Sequence, residues 1–99
     1  MAGPFVRVVA CGELQGSAVA ARMPSQAGSL VKLKAAADNA GNVYVGLAGV
    51  TKADGTTDTT TGLQLGPGED SGWLPCGNLD EFYRICDNAG DDLTYLVAG

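Results

Sequence analysis

Apolar and polar side chains alternate most cleanly over residues 29–37, where Val31, Leu33 and Ala35 fall on one side and Leu30, Lys32 and Lys34 on the other. A period of two is the mark of a half-buried strand. The same alternation returns over 42–47, with Val43, Val45 and Leu47 on one face and Tyr44 on the other. Between them stands Asp38-Asn39-Ala40-Gly41, residues that favour reversal of the chain. The pattern predicts a hairpin over 29–47. The same four-letter word recurs as Asp87-Asn88-Ala89-Gly90, between a strand-like run at 81–86 and another at 93–97. It predicts a second hairpin.

The remaining strands are shorter. Residues 5–11 are Val-rich with Arg7 as the one charge, and Gly12 is expected to end that strand. Residues 15–22 carry alanines that suit a strand or a helical turn equally. Residues 62–65 read as a short strand, the Gly66-Pro67-Gly68-Glu69-Asp70 run as a tight turn, and 72–76 as a further strand closed by Pro75. About seven or eight short strands with frequent turns predict an all-β domain, a small antiparallel β-sandwich or barrel.

Residues 51–62 break this pattern. They hold one apolar side chain, Ala53, among Thr, Asp, Gly and Lys, so they have little to give to a core. A polar loop of that length exceeds what a hairpin needs and belongs on the surface, where small β-domains make contacts.

Composition narrows the function more than the fold. With 99 residues the chain is one domain with a thin core, for which association would be a support. Its 15 glycines are about twice ordinary usage and favour many turns. The net charge of −5 is unevenly spread: residues 1–52 carry five basic groups against two acids, and 53–99 carry Arg84 against nine acids. Nucleic-acid binding is not expected of so acidic a chain. The asymmetry is ordinary solvated surface or, on a sharper reading, a dipolar protomer whose acidic region meets a basic neighbour. No run is apolar enough to span a membrane, and none reads as a leader, so a reducing cytoplasm is the expected site of synthesis.

The chemistry-bearing residues are few. There is no histidine, which removes the commonest general base and the Ser–His and Cys–His nucleophile pairs. Glu69/Asp70 and Asp80/Glu81 are adjacent pairs whose carboxylates point apart, unlike a two-carboxylate hydrolase site. The oxygen-rich turns do not fit a calcium loop, with weak binding at Asp87, Asp91 and Asp92 the remaining alternative. Cys11, Cys76 and Cys86 lack a CxxC pair and are expected as buried thiols, a Cys76–Cys86 bridge being the alternative. No catalytic, cofactor or metal residue is assigned, and the chain is not expected to be an enzyme. Trp73, the one tryptophan, is a core or rim anchor, or else an interface residue.

Several segments together resemble small virion proteins of tailed bacteriophages: Asn39 to Gly46, Gly62 to Glu69, Gly72 to Leu74, Leu79 to Tyr83, and Asp92 to Leu96. The resemblance covers the last two thirds of the chain. It implies a capsid decoration (cement) protein, a non-enzymatic structural component that stabilises the outer surface of a phage head. Its partners would be the major capsid protein and itself, as a homotrimer, with neither nucleic acid nor membrane involved. It would be made in the host cytoplasm and reside on the virion. A tail, neck or baseplate β-module, with a host-surface or glycan-binding role, is the alternative. On this resemblance an N-terminal arm (1–10) and the polar loop (51–62) are expected at protein contacts. The candidate contact residues are Phe5, Arg7, Thr56, Thr57, Asp58, Thr59, Thr60, Thr61 and Trp73.

Overall fold

A computed structural model describes residues 7–52 and 62–99. Among the described residues eight strands form two antiparallel sheets of four. In chain order they are β1 (Val8–Leu14), β2 (Ala21–Arg22), β3 (Leu30–Ala35), β4 (Val43–Gly46), β5 (Leu63–Leu65), β6 (Asp70–Pro75), β7 (Tyr83–Cys86) and β8 (Leu93–Ala98). The first sheet runs β1-β8-β3-β6 and the second β2-β7-β4-β5. This is the all-β sandwich that the spacing of turns predicts.

The core follows from the alternation. Val31, Leu33 and Ala35 of β3 are fully buried, as are Leu93 and Val97 of β8. They meet Val43 and Val45 of β4, Leu65 of β5 and Cys86 of β7 from the opposite sheet. Met23 and Leu79 belong to the same cluster. Leu79 opens a single 3-10 turn, Leu79–Glu81, capped by Asn78, whose Oδ1 accepts the N–H groups of Asp80 and Gln26.

Both hairpins are corrected. β3 lies in the first sheet and β4 in the second; β7 lies in the second and β8 in the first. Each Asp-Asn-Ala-Gly word is therefore an arch that carries the chain across the core. The physical reason is that β3 and β4 each bury a full apolar face. Strands of one hairpin share a sheet, whereas these two faces are buried against each other. The arches sit side by side, with β3 paired to β8 and β4 to β7. The turn at 66–69 also crosses between sheets. Gly68 there adopts φ +81, and Glu69 N–H donates to the Gly66 carbonyl at 2.9 Å.

Other expectations shift locally. The first strand begins at Val8 and continues through Gly12 to Leu14. Gly12 pairs with Tyr95, and a Cβ there would lie 2.7 Å from the Tyr95 hydroxyl oxygen, so the glycine makes room for a ring instead of ending a strand. Residues 15–22 form no helix; their regular secondary structure is β2. Leu47, expected on the buried face, is 67% exposed because the chain leaves the sheet after Gly46. Tyr44, expected on the wet face, is 1% exposed and packs with Val50, Ile85 and Tyr83 in a second small cluster. Of the expected arm, Val8 to Ala10 belong to β1, while residues 1–6 lie outside the described residues.

Candidate interaction face

The outer face of the first sheet is where exposed apolar and charged side chains converge. Pairing across the sheet places Cys11, Leu96, Lys32 and Trp73 in one row. The next row holds Glu13, Thr94, Lys34 and Asp70. Directly paired residues project to the same side, so these rows follow from register alone. β6 is irregular between the two: the register shifts at Lys32/Lys34, Gly72 takes φ +67, and the Ser71 hydroxyl accepts the Leu33 N–H at 3.0 Å. That bulge brings Trp73 opposite Lys32 and Asp70 opposite Lys34.

Trp73 is 44% exposed, unusual for the one tryptophan of a chain this small. Lys32 Nζ stands 5.9 Å from its ring centroid and 4.0 Å from Asp70 Oδ2. The cation thus lies between an aromatic face and a carboxylate, each contact contributing on the order of 0.5 kcal/mol where water has access. Asp70 is held in turn by the Gly72 N–H, 2.8 Å from its Oδ1. A groove of about 190 Å³ runs beside this pair, lined by Lys32, Lys34, Asp70, Thr94, Tyr95 and Leu96. A larger, open hollow of about 430 Å³ lies at the end of the second sheet near Leu47 and Leu63, and its described lining carries no charged group.

The arch end of the molecule has different chemistry. Asp91, 2% exposed, accepts N–H groups from Ala40 (2.9 Å), Gly41 (3.3 Å) and Asn88 (3.2 Å), and the Asn88 amide at 3.1 Å. Burial works against its charge, but these hydrogen bonds outweigh it and hold its pKa below the usual 3.8. Asp87 Oδ2 accepts the Asn42 N–H at 2.9 Å, and Asn39 exchanges two hydrogen bonds of 2.8 Å with the Asp92 backbone. These carboxylates are used internally to tie one arch to the other. Among the described residues no group of three or more His, Cys, Asp or Glu side chains is placed to hold a metal ion.

The three thiols are free, so the Cys76–Cys86 bridge is not formed. Cys86 is buried, Cys76 half-buried, and Cys11, expected to be buried, is exposed because it sits on the outer side of an edge strand. Burial raises the pKa of Cys86, with Asp91 and Asp87 adding to it against the Ser17 hydrogen bond and Arg84. Burial and Glu81 raise that of Cys76 against a hydrogen bond from the Asn78 backbone. Both are therefore held in the weakly nucleophilic thiol form.

Of the residues singled out from sequence, Trp73 lies on this face, on the edge strand β6. Arg7 is exposed at the start of β1, its carbonyl accepting the Gly99 N–H at 3.1 Å, and β8 and β3 separate that strand from β6. Phe5 and Thr56, Thr57, Asp58, Thr59, Thr60 and Thr61 lie outside the described residues. Sequence reasoning did not single out Lys32, Lys34, Leu96 and Thr94. Their wet-side alternation was visible, but their neighbours come from strands far away in the chain. No family model, no curated protein and no solved structure matches this chain.

Proposed function

We propose that the protein is a non-enzymatic structural module that attaches to a larger protein assembly, and that the assembly is a phage head it decorates as a cement protein. The observation that carries the attachment is the outer face of the first sheet. A half-exposed tryptophan stands in register with a leucine and a lysine on the outer face of a four-stranded sheet. Exposed Trp beside a cation is the side-chain chemistry enriched at binding hot spots. The phage-head part of the reading rests on the strand-and-turn segments quoted above. A thin core accords with a protein that gains support from its assembly.

The test is to measure solution mass by light scattering and then sediment the protein with expanded phage heads. A defined oligomer that co-sediments at fixed stoichiometry supports the reading, and Trp73→Ala is expected to lower occupancy at least tenfold. A protein that stays in the supernatant with heads, at any concentration, overturns it.

A further inference from the structure

We infer that the partner presents a carboxylate beside an apolar group to this face, although the chain itself carries a net charge of −5. The inference rests on the outer face of the first sheet being the contact surface, and it fixes the sign of what docks there. Lys32 and Lys34 stand two residues apart on β3 and project to the same side. Asp70 lies 4.0 Å from Lys32, which is also engaged with Trp73. Lys34 is exposed, and among the described residues no carboxylate comes within ion-pair distance of it. Glu13, the other acid on this face, is one strand further away, with Thr94 between.

The groove therefore holds two ammonium groups and one carboxylate. A carboxylate entering over Lys34 meets that ammonium and the exposed Thr94 hydroxyl, and completes an alternation of charge along β3. Its apolar neighbour lies against Leu96, 37% exposed, with Lys32 and then Trp73, 44% exposed, next in the same row. A basic group in the same place would confront two like charges with a single acid already engaged by Lys32. This is opposite to what net charge alone suggests, namely an acidic protomer seeking a basic neighbour. The difference arises because Asp87, Asp91 and Asp92 lie at the second arch, while β3 carries its lysines to the sheet face.

The sign can be read without phage heads. The intact protein is titrated at low ionic strength with acetyl-Glu-Leu-Glu-Leu-amide and with acetyl-Lys-Leu-Lys-Leu-amide, following backbone and indole N–H resonances. The expected result is that the acidic peptide shifts the Trp73 indole and the Lys32 and Lys34 amides, and the basic peptide does not. Lys34→Glu, at an exposed position, keeps the fold and weakens the acidic peptide by about fivefold or more. If the basic peptide shifts this face instead, the inferred sign is overturned while the face remains a contact surface. If neither peptide shifts it, the inference is overturned, and the effect of Trp73→Ala on head sedimentation separately decides the attachment reading.

Discussion

Asp91 is the one polar or charged side chain that is buried among the described residues. Asp91 takes four N–H groups, two from the first arch and two from Asn88 of its own. Asn can replace its shape but not its acceptors, because the amide NH2 would face donors. Asp91→Asn is therefore expected to cost about 2–3 kcal/mol, read as a lower urea midpoint at unchanged slope. The pH dependence follows from the sign of the shift. A pKa lowered on folding means that the charged form stabilises the native state above about pH 3.8, and that this is lost as pH falls through the native value. The native protein should lose stability below about pH 4, and the gap between it and Asp91→Asn should narrow there.

At the scale of elements, glycine usage separates positions that the letters alone do not. Gly16 lies where the chain leaves β1 for the second sheet, and a Cβ there would run into the Asp91 carbonyl and come within 3.1 Å of that of Ala89. The hydrogen bonds of the arches hold those backbone atoms in place. Gly16→Ala is expected to cost more than about 2 kcal/mol by chemical denaturation. Gly90, within the repeated word itself, has open space around it and no positive φ, so Gly90→Ala should stay within about 0.5 kcal/mol of the native protein. At Gly41, its counterpart in the first arch, a Cβ would lie 2.7 Å from the Asp87 Cβ, so the letters shared by the two arches are not equally constrained.

The same arches show where the sequence could be read and where it could not. The period of two placed Val31, Leu33, Ala35, Val43 and Val45 on buried faces correctly, because that is a local property of a strand. Which sheet each strand joins is not local. A hairpin and an arch use the same turn-favouring residues, and the choice lies in contacts fifty residues away, such as Asn39 with Asp92. The site divides in the same way. Trp73 could be singled out as a lone aromatic, but its setting beside Lys32, Leu96 and Thr94 exists only through the β6-β3-β8 register.

For the whole molecule, the acids of the two arches lie at one end of the sheets, and Trp73 lies on the outer face of the first. Asp38, Asp87, Asp91 and Asp92 all belong to the arch end, whereas Trp73 and the groove lie on the flank of the first sheet. If the protein meets a shell through this flank, as proposed above, the arch end has no part in the footprint. Asp38 is exposed, so its reversal tests this without disturbing the hydrogen bonds between the arches. Asp38→Lys is expected to leave head occupancy within about twofold of the native protein, since an exposed charge outside a contact contributes little. Trp73→Ala on the same heads should abolish most of it. Occupancy that collapses with Asp38→Lys and survives Trp73→Ala would mean that the molecule stands on its arches, with the acidic end against a basic shell.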